Sequence, residues 1–172
     1  MTTKRQKIDS IIRVNYAGEY AANIIYSAQE YFIQDPTAKK EITEMKEQEL
    51  EHLNYFETQI KERNVRPSML MPVWHAASFA LGSLTAIAGS KTAMACTIAV
   101  EEAITEHYQE QLDALDNSES DLKAKIQKFK EDEEHHKHTA IEHDGMSAPL
   151  YNIVKNVIKL GSKAAIEIAK KV

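Results

Sequence analysis

The sequence predicts an all-α protein: a bundle of four long helices, with additional apolar and amphipathic helices around it. Three observations carry that prediction. Apolar residues recur at three- and four-residue steps in four long segments. Only five glycines and four prolines occur in 172 residues, too few for a turn-rich β architecture. Several of them stand at segment ends, as Pro36, Pro67, Gly145 and Pro149 do. The length suits one domain, spanning residues 1–172, around a single core.

The first helix is expected from Lys7 to Gln34. Ile8, Ile12, Tyr16 or Asn15, Glu19, Asn23, Tyr26 and Glu30 share its face. Asp35-Pro36 ends it, and Pro36 suits the first position of the second helix, which runs to Asn64. Ile42, Met45, Glu49, His52, Phe56 and Ile60 form that helix's inner face. From Pro67 to Ser90 no residue carries a formal charge. The apolar helix within this run, from Val73 to Gly89, is shorter than the about 20 residues a bilayer span requires. It is expected either buried in the protein or lying in a membrane interface.

Ser90 suits the cap of the next helix, from Lys91 to Leu115, with Met94, Thr97 or Ile98, Glu101, Thr105, Tyr108 and Leu112 on one face. After a loop at residues 116–120, a further helix runs to His143 and presents Leu122, Ile126, Phe129, Glu133, His136 and Ala140. The last helix, from Leu150 to Lys170, is amphipathic. Ile153, Val157, Leu160, Ala164 and Ile168 line one side, and Lys155, Lys159, Lys163 and Lys170 the other.

Charged residues make up 27% and the formal net charge is −5, with both signs interspersed. No basic stripe supports nucleic-acid binding. The single cysteine, Cys96, sits in an apolar run and reads as a small core residue of a chain from a reducing compartment. The N-terminal stretch from Met1 to Ser10 is short and polar, with no apolar signal core.

Two Glu-x-x-His tetrads carry the chemistry: Glu49 with His52, and Glu133 with His136. Residues three apart share a helix face, so each pair can reach one point. Carboxylate and imidazole together suit iron or manganese and tolerate zinc. Taken singly, Glu49 or Glu133 reads better as a solvated helix residue. The spacing changes that balance. Glu19 lies 30 residues before Glu49, and Glu101 lies 32 before Glu133. Each half of the chain therefore repeats a Glu helix followed by a Glu-x-x-His helix, the ligand arrangement of ferritin-like di-iron bundles. Glu19 and Glu101 both fall on faces expected to be buried, where an unaccompanied carboxylate costs several kcal/mol. Four carboxylates and two neutral imidazoles balance two divalent ions. Glu102 rivals Glu101, and Asp132 with His135 rivals Glu133 with His136, but helical phase from Met94, Tyr108 and Phe129 favours the inner set. His107 and Tyr108 follow Glu101 by about two turns, as candidates to support the site or meet substrate.

Three strings are more specific than any tetrad. Arg13 to Asn23 reads RVNYAGEYAAN, Val65 to Trp74 reads VRPSMLMPVW, and Ala93 to Glu102 reads AMACTIAVEE. With Glu142-His143-Asp144 and the terminal helix, they resemble the demethoxyubiquinone hydroxylase family from Ile8 to Lys170. Departures are Asn15-Tyr16 where Asp-His is common, Ala21 where Gly is common, Glu134 and His135 on the Glu-x-x-His helix, and a short loop near Asn117. None removes a ligand. The resemblance implies a di-iron monooxygenase that hydroxylates the ring of a polyprenylated demethoxyubiquinol with O2 in ubiquinone biosynthesis. It implies two ferrous ions held by Glu19, Glu49, His52, Glu101, Glu133 and His136. It also implies peripheral attachment to an inner membrane, on the cytoplasmic side in a bacterium or the matrix side in a mitochondrion. NADH is the candidate reductant, although no Gly-rich dinucleotide fingerprint is present. A lipid-binding protein of the pathway and a second copy of the chain are candidate partners. The rival readings are another ferritin-like oxidase (ferroxidase, peroxidase or tRNA hydroxylase) and a helical membrane scaffold without metal.

Overall fold

In the computed structural model, which describes residues 3–172, the chain is all-α, as expected for the ferritin-like class. Its helices are α1 (Lys4–Phe32), α2 (Pro36–Arg63), α3 (Met71–Ile87), α4 (Ser90–Ala114), α5 (Ser120–Glu142) and α6 (Tyr151–Ala169). No strand occurs among the described residues. Met1 and Thr2, which open the polar N-terminal stretch, lie outside them. The fold comprises two compact units. The first is Met1–Ser90 with Lys163–Val172, and the second is Lys91–Ser162.

Capping chemistry sets the helix ends. The Thr3 hydroxyl accepts from the Gln6 amide, and the Gln6 side chain accepts from the Thr3 amide. This reciprocal pair starts α1 one turn before the expected Lys7. Asp35 accepts from the amides of Thr37 and Ala38, and Pro36 occupies the first turn of α2, where a missing N–H costs nothing. Asn64 closes α2 in the left-handed conformation at φ 53°. Ser90 is the first residue of α4 rather than a cap before it.

In the first unit α1 packs on both α2 and α3. One stripe of α1 is Ile8, Ile12, Asn15, Glu19 and Tyr26; Asn15, not Tyr16, is the buried member of its pair. A second buried set, with Val14, Ile25, Ala28 and Gln29, includes the residues that meet α3. A Cβ on Gly82 of α3 would stand 2.4 Å from the Ile25 carbonyl oxygen and 2.9 Å from the Ala28 Cβ. Gln29 Nε2 donates to Thr85 Oγ1 across the same contact, at 3.3 Å.

The face of α3 turned to the protein is small and polar: Ser78, Gly82, Ser83, Thr85 and Ala86 are buried. Four of its large apolar side chains, Val73, Phe79, Leu84 and Ile87, are exposed, while Met71, Trp74 and Leu81 are half-buried. Helix α6 has the same inverted polarity. Leu150, which precedes the helix, and Ile153, Val157 and Leu160 along it are 60–71% exposed. On its other side, Lys155 Nζ lies 2.6 Å from Glu102, and Lys159 Nζ lies 2.6 Å from Glu102 and 2.5 Å from Glu106. In the second unit α6 is thus held to α4 by lysines, and its apolar stripe faces out. Among the described residues no helix is long and apolar enough to cross a membrane.

Two predictions follow from this packing. Gly82→Ala forces its new methyl against the backbone of α1, and should cost about 1–3 kcal/mol by denaturant unfolding; an unchanged midpoint would disprove the close approach. The second concerns the lysine clamp on α6. Burial alone would raise the Glu102 carboxyl, but the hydrogen bonds from Lys155 and Lys159 carry it below its ordinary 4.5. Burial alone would lower Lys159, but its bonds to Glu102 and Glu106 lift it above its ordinary 10.5. The Glu102 contribution is complete above pH 4.5 and is lost as pH falls through its depressed value. The Lys159 contribution is complete below pH 10.5 and is lost as pH rises through its elevated value. Amide-exchange protection of α6, corrected for intrinsic rates, should hold between these limits and drop on the acid side. Lys159→Gln should weaken protection within the plateau and shrink the acid drop; identical profiles would count against the clamp.

Candidate metal centre

Each unit brings together one carboxylate helix and one Glu-x-x-His helix. In the first, Glu19 on α1 is 1% exposed, and Glu49 and His52 on α2 are 0% and 1% exposed. In the second, Glu101 on α4 and Glu133 on α5 are both 0% exposed, and His136 on α5 is 1%. The rivals fall elsewhere: Glu102 is half-buried in the α6 clamp, Asp132 is half-buried, and His135 is exposed. Helical phase assigned Glu101, Glu133 and His136 to inner faces, and those three positions are buried.

Within each triad, ligand-type atoms lie within 4.8 Å of one another. Nδ1 of His52 stands 3.5 Å from Glu19 Oε2, and Nδ1 of His136 stands 3.0 Å from Glu133 Oε2. Two donors each about 2.1 Å from one cation, at angles near 90–110°, are themselves about 3.0–3.4 Å apart. The spacings inside the triads therefore fit donors converging on a shared ion. Nδ1 is the nitrogen that both imidazoles turn toward a carboxylate. Hard carboxylate oxygens with one imidazole per triad suit a divalent first-row metal such as iron or manganese.

The surroundings are apolar or hydrogen-bonded. Residues Ala93 to Glu101 are buried without a break, and Cys96 among them is fully buried and in no disulfide, as its setting predicted. The Thr105 hydroxyl donates to the Glu101 carbonyl, one turn along α4. His107 is half-buried, with Nε2 2.7 Å from Gln111 Nε2 and Nδ1 3.5 Å from Glu110. Tyr108 is 1% exposed on the inner face of α4. Thr105 lies on the inner face expected of it, but Gln111 escaped that reading although it stands four residues after His107. The 2.8 Å contact between the Tyr20 hydroxyl and His75 Nδ1, which joins α1 to α3, has no local signal.

Helices that bury clustered carboxylates and histidines define the class: an all-α protein with a carboxylate–histidine site able to hold a metal. Comparison narrows the class further. The family model described as ubiquinone biosynthesis protein COQ7 matches residues 6–169. Over 172 residues the chain is 42% identical to the mitochondrial NADPH-dependent 3-demethoxyubiquinone 3-hydroxylase of Dictyostelium discoideum, covering 98% of this chain and 79% of that one. It is 41% identical over 171 residues to the protein of the same name in Bos taurus, covering 97% and 79%. It is 40% identical over 166 residues to the 3-demethoxyubiquinol 3-hydroxylase of Rhodospirillum rubrum, covering 96% and 78%. The chain belongs to the COQ7 family of ubiquinone biosynthesis proteins.

Buried acids without a cation burden the fold. Glu101→Gln keeps the shape and removes one of them, so it should raise the stability of the metal-free chain at neutral pH by roughly 1–3 kcal/mol. Chemical denaturation of chelator-treated protein checks this, and a less stable variant would refute it.

Proposed function

We propose that this chain hydroxylates the ring of a polyprenylated demethoxyubiquinol, using two iron ions held by Glu19, Glu49, His52, Glu101, Glu133 and His136, with the two units acting as one domain. Membership of a family of hydroxylases makes the chain an enzyme of ubiquinone biosynthesis acting on a quinol precursor. The observation that carries the metal reading is the repeated triad of fully buried Glu, Glu and His, once in each unit. Glu49 and Glu133 open the two Glu-x-x-His motifs, and each would hold an ion together with the histidine three residues on.

Ring hydroxylation turns a C–H bond into C–OH and leaves the second oxygen atom of O2 as water, so two electrons and two protons must enter. Bound ferrous ions would supply the one-electron steps that ground-state O2 requires. The residues of the chain do the rest. Four carboxylates offset the charge of two divalent cations and leave the buried site near neutrality. Nδ1 of each histidine is turned toward a carboxylate oxygen of its own triad, so that imidazole and carboxylate would ligate one ion together. The unbroken buried run from Ala93 to Val100, apolar but for Thr97, helps keep water from the second triad. The Dictyostelium discoideum and Bos taurus relatives are named as NADPH-dependent, where the sequence reading had NADH as candidate, and a nicotinamide donor is our assignment for this chain.

A polyprenyl tail partitions into a bilayer, so the enzyme must meet its substrate there. The exposed apolar side chains of α3 and α6 support peripheral attachment to an inner membrane, on the matrix side in mitochondria or the cytoplasmic side in bacteria. Several relatives are named as mitochondrial. The hydroxylase reading is favoured over a ferroxidase, which needs no such apolar surface.

Deleting the gene should make demethoxyubiquinone accumulate; wild-type chain should restore ubiquinone and Glu133→Ala should not. Unchanged ubiquinone in the deletion strain would sink the reading. Anaerobic reconstitution should load close to two irons per chain, and Glu133→Ala should lose most of that.

A further inference from the structure

We infer that Thr97 is a positioning residue of the metal centre, its hydroxyl held in reserve to donate a hydrogen bond to the Glu101 carboxylate once a cation is bound. The inference rests on the metal reading above and goes beyond its six ligands.

Thr97 lies on α4 and is 1% exposed. Its hydroxyl has no hydrogen-bond partner. That is unusual for a helix threonine, which has a partner at hand: the carbonyl four residues earlier. Elsewhere this chain uses that bond. Thr43 donates to the Lys39 carbonyl at 2.9 Å, Thr58 to Asn54 at 2.9 Å and Thr85 to Leu81 at 2.8 Å. Thr105, two turns further along the same face of α4, donates to the carbonyl of Glu101 itself. Thr97 alone of these five buries its hydroxyl and leaves it unused. A buried hydroxyl without a partner is disfavoured relative to a methyl group of the same shape. Valine would suit the apolar run from Ala93 to Val100 better if packing were its only task.

Position says what the hydroxyl is for. Thr97 and Glu101 are four apart and share a face. Helical side chains lean toward the N-terminus, so the Glu101 carboxylate reaches back over the turn that carries Thr97. A carboxylate that gives one oxygen to a cation keeps lone pairs on the other, and these need a donor in a dry site. Thr97 is a neutral donor at that place. It adds no charge to a site whose carboxylates already balance two divalent ions, and it narrows the orientations open to Glu101. It touches no substrate in this account, and acts through Glu101 alone.

The test compares Thr97→Val, Thr97→Ala and Thr97→Ser in the full chain. Anaerobic Fe(II) titration against a competing chelator should show the valine and alanine variants binding about tenfold more weakly, with serine within about twofold of wild type. The visible absorption of Co(II)-loaded protein should shift for valine and alanine and return with serine. Metal-free Thr97→Val should melt no lower than metal-free wild type, because in that state the hydroxyl has nothing to lose. Should valine disturb folding by circular dichroism, the alanine and serine pair carries the comparison. Equal Fe(II) affinity for wild type and the hydroxyl-free variants overturns this inference and leaves the metal reading standing. A weaker site accompanied by an equal loss of metal-free stability also overturns it, since that marks packing damage. A wild-type chain that takes up no iron overturns both readings together.

Discussion

Burying a carboxylate on a helix face is the constraint from which the rest of this protein follows. Each unit does so twice and adds an imidazole, all at 1% exposure or less. Hydrocarbon packing cannot stabilise such groups, because leaving water costs each charge several kcal/mol. They persist only where other charges or protons compensate them. The structure supplies part of that compensation locally, as in the 3.0 Å approach of His136 to Glu133. A pair of divalent cations would supply it more fully. The polar stripe of α2 and that of α5 are therefore the least negotiable faces in the fold, and the apolar residues flanking them, from Met45 to Phe56 and from Phe129 to Ala140, hold them at fixed helical phase.

The same economy of faces explains α3 and α6. A helix that packs through Ser78, Gly82 and Ser83 approaches its neighbour closely, as Gly82 does on the Ile25 backbone. It then has no inner surface left for its large apolar side chains. A helix held by Lys155 and Lys159 on buried-edge glutamates has likewise spent its charged side inward. In both, apolar groups face outward as a direct result of how the inner contact is made. For an enzyme whose substrate carries a hydrocarbon tail, that outward polarity is useful rather than a defect.

What the sequence disclosed and what it hid divide along this line. Every residue placed on the inner faces of α2 and α5 is buried, because a single stripe with a period of 3.6 describes each of those helices. Every one on the preferred face of α4 is buried too, partly because α4 is buried all round from Ala93 to Glu101. Helix α1 follows the same reading only in part, with Ile8, Ile12, Asn15, Glu19 and Tyr26 buried but Asn23 and Glu30 half-buried. It packs on two neighbours, and its second stripe of Val14, Ile25 and Ala28 blurs the period of the first. The polarity of α3 was hidden for a related reason: with no charged residue from Pro67 to Ser90, no pattern said which side faces out. The early start of α1 was legible in Thr3-x-x-Gln6, a capping box that periodicity does not register. Contacts such as Tyr20 with His75, 55 residues apart, leave no local trace.

Thr97 shows how far a structure can add to a motif. In sequence it was one of two alternatives for an inner position, with Ile98 the other, and either would have filled the space. Both are buried. Only the hydrogen-bond accounting separates them, since Thr43, Thr58, Thr85 and Thr105 all satisfy their hydroxyls on the preceding turn and Thr97 does not. A metal centre built of carboxylates has more lone pairs than its ions can use, and in a dry core each surplus lone pair calls for a neutral donor. Ligand motifs name the groups that hold the charge. The donors that orient those groups are scattered at helical spacing around them, and an unused hydroxyl one turn from a buried glutamate is the physical mark by which such a donor is found.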